Sequence, residues 1–194
     1  ETRGRFLKIM FDEATRMRDL LDDLMSLSRI EAERFALPRE TVDLVPLVDQ
    51  AKVALKPLLT GRKLMLEKEV EDARVAGDRS QLAQLLNNLI VNALKYGRPG
   101  TPVRIRLERA GDMIRVAVID QGEGIEAEHI PRLTERFYRV DASRSRQVGG
   151  TGLGLAIVKH IVLRHRGRLE ISSVLGTGTE VSVFLPRADV TETS

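Results

Sequence analysis

A stripe of amide and amine side chains is the part of the sequence best suited to chemistry. Asn88, Asn92 and Lys95 follow one another at spacings that place them on one face of a helix. Amide oxygens suit Mg²⁺, and a lysine beside them can neutralise phosphate oxygens on the same ion. The stripe predicts a site for a metal-bound phosphate, with Asn92 as the best metal ligand and Asn88 beside it. An asparagine pair alone would more often face water, so the prediction depends on the two clusters that follow.

A second polar cluster follows an apolar stretch that is predicted to be a strand. Asp120 ends this stretch, and Gly122, Gly124 and Ile125 come next. Glycine lets the backbone adopt positive φ and approach a flat ligand, while a carboxylate at a strand end can accept a hydrogen bond from an exocyclic amine. These residues could recognise adenine, although the Asp-x-Gly-x-Gly pattern by itself is more typical of an ordinary turn.

The third cluster is rich in glycine and precedes a predicted helix. Residues 149–154 read Gly-Gly-Thr-Gly-Leu-Gly, and free amide groups at a helix N-terminus favour a phosphate. No Gly-Lys-Ser/Thr follows, which excludes a Walker loop, and no strand precedes the cluster, which argues against a dinucleotide-binding fold. Residues 139–147 are instead basic and polar. We expect them to form a mobile flap that brings Arg139, Arg144 and Arg146 to the phosphates.

Composition limits the classes of function. The chain has 194 residues, a formal net charge of +3 and no cysteine, which fits a globular protein of one or two domains in a reducing compartment. Balanced acidic and basic residues give little support to nucleic-acid binding. No apolar stretch reaches the roughly twenty residues that span a bilayer, and the charged start is unlike a signal peptide. We therefore expect a cytoplasmic segment without nucleic-acid or membrane contact, with any membrane anchor outside it.

Hydrophobic patterns after residue 39 alternate between strands and helices. One helix should begin at Asp78, which together with Gln81 resembles a capping box. Gly111 and Asp112 should join two adjacent strands as an antiparallel hairpin. The pattern predicts an α+β fold, a two-layer α/β sandwich whose mixed sheet has helices on one face. Strands are predicted at residues 64–70, 103–107, 114–119, 169–172 and 181–185, and helices at residues 44–59, 79–96 and 153–166.

A long amphipathic helix is predicted before the sandwich. Its apolar residues recur at alternating three- and four-residue steps, which is the seam of a helix that packs against other helices. One helix cannot bury such a stripe alone, so we expect half of a helical bundle, and docking on the following domain is the alternative. The seam consists of Leu7, Met10, Ala14, Met17, Leu21, Leu24 and Ser28, widened by Leu20, Leu27 and Ile30.

Together these motifs resemble the ATP-binding catalytic part of a sensor histidine kinase of the phosphate-sensor type. That group belongs to a superfamily that includes gyrase, heat-shock chaperone and mismatch-repair ATPases. The resemblance covers essentially the whole chain, because residues 5–34 are similar to the second helix of the dimerization and histidine-phosphotransfer hairpin. The matching motifs are the asparagine box at residues 88–96, the first glycine box at 120–124, the Glu135–Asp141 segment, the second glycine box at 150–154, and residues 176–179.

The resemblance implies a fold, a division of the chain and partners. The fold would be the Bergerat-type ATP-binding sandwich. Residues 1–36 would form the second hairpin helix, residues 37–188 the catalytic domain and residues 189–194 a flexible tail. In the full-length protein the hairpin would form a homodimer, and the receiver domain of a response regulator would accept the phosphoryl group.

The resemblance also implies roles for individual residues. Asn92, with help from Asn88, would hold Mg²⁺. Lys95 and Arg139 would contact the phosphates of ATP and act in catalysis, and Asp120 would recognise adenine. The other nucleotide contacts would come from Tyr96, which would pack beside the nucleotide, and from Gly122, Gly124, Ile125, Arg144, Gly150, Thr151, Gly152, Leu153, Gly154 and Thr179.

The sequence departs from the family pattern in two places. Thr134 stands where the family usually has an aromatic residue, which implies a more loosely anchored flap. The histidine box, with its acidic neighbour and downstream Arg-x-Pro, is missing, so we expect a fragment that binds Mg-ATP without phosphorylating itself. His129, before Ile130-Pro131, is interpreted as structural, and His160 and His165 are expected to cap or pack rather than react.

Two other classes of protein remain as alternatives. A conformational ATPase would need a glutamate on the asparagine helix to activate water, and residues 79–96 contain none. A degenerate, non-catalytic module that binds nucleotide or a partner kinase would fit Thr134 and the missing acceptor. Supplying the acceptor helix and testing for phosphohistidine separates this module from an active kinase.

Overall fold

A mixed five-stranded sheet covered by helices follows a long N-terminal helix. The computed structural model describes residues 2–32, 40–59, 61–140 and 150–188, so the predicted boundary at residue 36 and the tail 189–194 lie outside the described residues. The α+β class and the long first helix are confirmed. The α-helices are α1 (Thr2–Ala32), α2 (Leu44–Ala54), α3 (Arg79–Tyr96) and α4 (Gly154–Arg164), and the strands are β1 (Glu40–Asp43), β2 (Leu64–Lys68), β3 (Arg74–Gly77), β4 (Val103–Ala110), β5 (Met113–Asp120), β6 (Arg168–Val174) and β7 (Gly178–Pro186).

The main sheet has the strand order β2-β4-β5-β7-β6. β2 and β4 run parallel, and every other neighbouring pair is antiparallel. The predicted hairpin is confirmed, because β4 pairs with β5 through a turn in which Gly111 has a φ of 64°. Alternation along each strand puts one set of side chains into the core. In β4 and β5 this set is Val103, Ile105, Leu107, Ile114, Val116 and Val118.

Charged side chains on the opposite face of the sheet bridge three strands. Arg115 of β5 contacts Glu108 of β4 and Glu180 of β7, and its guanidinium also donates to Ser182 Oγ at 3.0 Å. Because cross-strand pairs of opposite charge suit a face that no helix covers, this network fits the predicted placement of the helices on the other side.

A second, two-stranded sheet was not predicted from the sequence. β1 and β3 pair antiparallel, with Val42 opposite Val75, and both valines are buried. Each strand has four residues, too few for period-two alternation to be recognised. This small sheet connects the start of α2 to the start of α3.

The predicted helix at residues 44–59 is shorter in the structure. α2 ends at Ala54, and a 3₁₀ turn over Lys56–Leu58 follows. Pro57 explains the early end, because proline has no amide hydrogen to donate and disfavours helical geometry at the residue before it.

α3 begins and ends where the sequence predicts. The Asp78 side chain caps it by accepting hydrogen bonds from the backbone N–H groups of Ser80 (2.9 Å) and Gln81 (3.1 Å). The Gln81 side chain does not complete a capping box, since its Oε1 is buried with no hydrogen-bond partner among the described residues. The buried apolar side chains of α3 include Leu82, Leu86, Leu89 and Ala93.

α1 uses two different faces. Leu27 and Ile30 are buried against the rest of the chain, so the C-terminal part of the helix docks on the sandwich. The predicted seam remains exposed, and the exposed fractions of Leu7, Met17 and Leu21 are 57%, 62% and 57%. The docking interpretation is therefore confirmed for the C-terminal part of the helix, and the packing of the seam against other helices stays a prediction. Among the described residues, none of the helices is long and apolar enough to cross a membrane.

His165 at the end of α4 serves the backbone, as the sequence predicts for a histidine that caps or packs. The ring is buried; its Nε2 accepts a hydrogen bond from Asp78 N at 3.0 Å, and its Nδ1 lies 2.8 Å from Ile161 O. Only the neutral ring with its proton on Nδ1 satisfies both contacts. Burial lowers the pKa of His165, and the charge of Arg164 adds to this shift.

Acidification should weaken the fold through His165. Since its pKa is lower in the folded than in the unfolded state, the unfolded chain takes up a proton first, and the free energy of unfolding falls as the pH drops below about 6.5. We expect His165→Gln, which cannot titrate, to cost about 1–3 kcal/mol at pH 7.5 and to reduce the difference between pH 7.5 and 5.5. Urea unfolding at both pH values measures this, and an unchanged pH dependence in the variant would contradict it.

Candidate functional site

Helix α3 brings the three polar clusters together in the order of its own residues. Gly154, at the start of α4, lies beside the asparagines: a Cβ atom placed on it would be 3.7 Å from Asn92 Nδ2 and 3.9 Å from Asn88 Oδ1. Because Gly154 has no side chain, space remains between the start of α4 and the amide groups of Asn88 and Asn92. A larger residue at this position would fill the space between the two helices.

Two cations lie one turn further along. A Cβ atom placed on Gly150 would be 3.7 Å from Lys95 Nζ and 3.6 Å from Arg139 Nη2. Burial lowers the pKa of Lys95, and the positive charge of Arg139 adds to this shift, while Asp23 and Asp19 oppose it. Two positive charges held close together attract an anion, so this end of α3 suits phosphate.

The first glycine cluster meets the C-terminal end of α3. Gly97 and Gly122 form an isolated antiparallel bridge, and a Cβ atom on Gly122 would lie 2.4 Å from Tyr96 O. Only glycine permits this approach. The contact places Asp120, at the end of β5, next to the end of the asparagine helix. The Tyr96 ring is half exposed, at 52%.

Asp120 has the environment of a recognition residue. Its carboxylate is buried at 9% exposure and accepts a hydrogen bond from Gly122 N at 2.7 Å. Burial raises the pKa of Asp120, while hydrogen bonds from the backbone of Gly122 and Thr179 and the charge of Arg62 oppose the rise. A desolvated carboxylate at a strand end is costly to bury, so it indicates a functional position rather than a stabilising one.

Close backbone packing supports this cluster from behind. Gly124 has a φ of 74°, and a Cβ atom on it would lie 2.2 Å from Val174 O. Ile125 N donates to Ser173 Oγ at 2.9 Å, and Ser173 Oγ lies 2.8 Å from Thr179 Oγ1. The hydroxyl of Thr179 is thus tied to the loop that carries the glycines.

The third cluster is anchored on both sides of residues 141–149, which lie outside the described residues together with the predicted Arg144 and Arg146. Phe137 N donates to Gly152 O at 3.0 Å, and Phe137 has a φ of 63°. Leu153 is fully buried, and its amide donates to Thr151 Oγ1 at 3.2 Å. Its side chain therefore packs in the core, and only its backbone could face a ligand.

Sequence reasoning did not identify Asp23 of α1 as part of this region. The Thr151 hydroxyl donates to Asp23 Oδ2 at 2.6 Å. Burial raises the pKa of Asp23, while the hydrogen bond from Thr151 and the charge of Lys95 oppose the rise. A contact between residues so far apart in the chain has no local signature, and Asp23 looked like one more charged residue on the polar side of a helix.

The asparagines fit a hard metal ion. Asn88 and Asn92 are partly buried and lie one helical turn apart facing Gly154. Asn88 Nδ2 is buried with no hydrogen-bond partner among the described residues, which indicates a polar group that is missing its partner. This N–H group requires an acceptor such as a phosphate oxygen or a water, while the Asn88 Oδ1 atom on the side of Gly154 is a ligand type that suits Mg²⁺, which keeps several waters and shares its other positions with phosphates.

His129, the one histidine with an acidic neighbour in sequence, has a structural contact. Its Nδ1 lies 2.7 Å from the Tyr138 hydroxyl, and its Nε2 lies 3.7 Å from Glu128 Oε1. The Arg132 guanidinium stacks on the Tyr138 ring at 4.2 Å. The interpretation of His129 as structural agrees with these contacts.

Comparison with known proteins gives consistent matches. Residues 77–189 match the family described as histidine kinase-, DNA gyrase B- and HSP90-like ATPase. The chain is 40% identical over 189 residues to the phosphate regulon sensor protein PhoR of Pseudomonas aeruginosa, covering 97% of this chain and 43% of that protein. It is 36% identical over 187 residues to the sensor-like histidine kinase SenX3 of Mycolicibacterium smegmatis, covering 96% and 49%. The chain thus spans less than half the length of these relatives.

Solved structures show the same fold. The mycobacterial sensor histidine kinase MprB superposes with a TM-score of 0.67 at 29% identity, covering 76% of this chain and 97% of that one. Full-length ShkA in complex with AMPPNP gives a TM-score of 0.80 at 24% identity, covering 96% and 39%. The second likeness includes α1 as well as the sandwich, since it covers almost the whole chain.

Proposed function

The chain belongs to the family of histidine kinase-, DNA gyrase B- and HSP90-like ATPases, and from this premise we propose that it is the ATP-binding catalytic part of a sensor histidine kinase. The observation that supports this proposal most is the alignment of the three polar clusters along α3. Amides, cations and a buried carboxylate follow one another from Asn88 to Gly122. This order suits a ligand with a metal-bound phosphate tail at one end and a base with an amine at the other.

Each cluster has a separate task in this proposal. Asn88 and Asn92 hold Mg²⁺, which when bound offsets negative charge on the phosphate oxygens. Lys95 and Arg139 neutralise the phosphates, and Asp120 accepts a hydrogen bond from the adenine amine. The other contacts are backbone amides of Gly150, Gly152 and Gly154, the hydroxyl of Thr151, the Tyr96 ring, the loop at Gly122, Gly124 and Ile125, and Thr179, with Arg144 closing over the phosphates.

Phosphoryl transfer requires little covalent chemistry from the protein. The γ-phosphoryl group passes between two oxygen or nitrogen nucleophiles while charge accumulates on its outer oxygens. Lys95 and Arg139 stabilise this charge in a partly desolvated place, where a fixed cation has a larger effect than in water. Positioning by the glycine-lined backbone does the rest.

The attacking imidazole would come from a segment that is not among these residues. His129 contacts Tyr138, His160 lies 3.5 Å from Glu31, and His165 is buried against the backbone. We propose a histidine on the hairpin helix that pairs with α1, in a homodimer. From there the phosphoryl group would pass to an aspartate of a response-regulator receiver domain. The catalytic part would work in the cytoplasm, where ATP is available, with any membrane anchor elsewhere in the protein.

A labelling experiment tests this function. We expect the 194-residue chain to bind Mg-ATP and to stay unlabelled with γ-labelled ATP, because its histidines are engaged elsewhere. Addition of a polypeptide that carries a histidine box on a helix complementary to the exposed seam of α1 should give acid-labile phosphohistidine on that polypeptide. Acid-labile label on the chain itself would contradict the proposal.

A second candidate function is a regulatory module that binds nucleotide without transferring phosphate. Thr134, where the kinases that the sequence resembles usually carry an aromatic residue, accepts a long hydrogen bond of 3.5 Å from Lys159 Nζ. This weak contact favours a looser support for the segment before residue 141. Unchanged ATP binding without label on the supplied helix would favour this second function.

A further inference from the structure

We propose that α1 restrains nucleotide binding, because Asp23 competes with the triphosphate for Thr151 and for the charge of Lys95, and that nucleotide binding in turn releases α1. This inference rests on the proposed function of the same site. It concerns the regulation of that site by the chain's own first helix.

The first observation is the use of the Thr151 hydroxyl. Thr151 donates its proton to Asp23 Oδ2 at 2.6 Å, and its oxygen accepts a hydrogen bond from Leu153 N at 3.2 Å. A hydroxyl has one proton to donate. While Asp23 accepts it, Thr151 has none for a phosphate oxygen at the start of α4.

Charge is the second observation. Asp23 attracts Lys95, and Asp19 of the same helix also does so. A triphosphate held by Lys95 would face these carboxylates in a partly desolvated space, where like charges repel more strongly than in water. The carboxylates of docked α1 therefore repel the negatively charged triphosphate of the proposed ligand.

The third observation is the nature of the docked contact. Ser26 and Gln84 exchange hydrogen bonds of 2.9 and 2.7 Å, and Glu31 contacts Arg136 and lies 3.5 Å from His160 Nε2. Leu27 and Ile30 supply the buried apolar part. Polar pairs of this kind near the surface contribute little each, so the docked state depends mainly on the two buried apolar side chains.

A cleft of about 430 Å³ remains between α1 and the start of α3. It is lined by polar and charged side chains, including Asp22, Arg29 and Ser80. An interface with such a space lacks the close packing of a core. Undocking α1 would expose Leu27, Ile30 and the side chains that they contact, which is less apolar surface than unfolding of the sandwich would expose.

Reciprocity follows from thermodynamics. If docked α1 weakens nucleotide binding by some factor, the nucleotide weakens docking by the same factor. Nucleotide binding would then expose Leu27 and Ile30 of α1. These side chains would become accessible to the other helices that we expect to contact the exposed seam. The helix would thus report whether the site is filled.

Asp23→Ala tests the competition, because alanine removes both the oxygen that accepts the Thr151 proton and the charge that attracts Lys95. We expect this variant of the full chain to bind ATP about 5- to 150-fold more tightly than the wild type, the usual range for coupling between sites. The gain should be smaller for ADP and absent for adenosine. Asp12→Ala, on an exposed turn of the same helix, is the matched control and should leave all three affinities unchanged. Titration calorimetry in the presence of Mg²⁺ measures the affinities for ATP, ADP and adenosine.

The outcomes separate this inference from the proposed function. Equal ATP affinity of Asp23→Ala and the wild type, or an equal gain for adenosine, would overturn the competition while leaving ATP binding intact. Absence of ATP binding in both proteins would overturn the proposed function and this inference with it. Hydrogen exchange gives an independent readout: ATP should speed exchange in residues 16–31 of the wild type, and slower exchange there would count against release.

Discussion

Replacement of Asp120 by asparagine is expected to reduce ATP affinity by at least about 100-fold, because a site built around a buried hydrogen-bond acceptor discriminates strongly when the partner is mismatched. The carboxylate can only accept. An asparagine in the same place would accept from Gly122 N, as Asp120 does at 2.7 Å, and would then direct its own N–H groups at the adenine amine, which is also a donor.

The fold should survive this change. Since burial raises the pKa of Asp120, its ionised form is disfavoured in the folded state, and the contribution of the carboxylate to stability is lost as the pH rises through its pKa. At neutral pH, replacement of the ionised carboxylate by a neutral amide therefore removes a desolvation cost from the folded state. Calorimetry measures the ATP affinity, and thermal unfolding measures the stability. Asp112→Asn, in the exposed turn between β4 and β5, is the control. ATP affinity equal to that of the wild type would reject the assignment of the base end of the site.

Replacement of Asn92 by alanine should remove the benefit of magnesium. In the wild type we expect Mg²⁺ to strengthen ATP binding, because the amides of Asn92 and Asn88 complete the shell of an ion that also holds the phosphates. Loss of one ligand should weaken Mg-ATP binding by at least about tenfold. The affinity for ATP in the presence of a chelator should change much less.

Asn87→Ala is the matched control for this variant. Asn87 lies on the same helix, five residues earlier and about 140° around its axis, so its amide points away from Asn92. Titrations of ATP with and without Mg²⁺ on both variants separate the metal effect from a general loss of helix stability. If Asn92→Ala keeps the full magnesium dependence, the metal is held elsewhere.

Local patterns made much of the fold predictable. α3 is a clear case: Asp78 marks its beginning, and the four apolar residues on one side of it are buried in the structure. Alternation in the strands that became β4 and β5 was equally readable, and glycine at residue 111 marked the turn. These features depend on neighbours in sequence, which is why one sequence suffices to find them.

The rest depends on contacts between distant residues. β1 and β3 are short and become strands because Val42 and Val75 pair over a shared core. The heptad pattern of α1 identified the seam, but it could not show that Leu27 and Ile30 dock on the sandwich. Asp23 was missed for the same reason. Its significance comes from Thr151, which only folding brings to it.

The bond between Phe137 N and Gly152 O fixes the distance between the two ends of the connection over residues 141–149. For a flexible connection between two fixed points, the entropy of closure depends only weakly on length, at about 0.6 kcal/mol for each doubling. Insertions and deletions between Phe137 and Gly152 should therefore cost little folding free energy. Related proteins could then differ in the length of this segment and keep the same binding site.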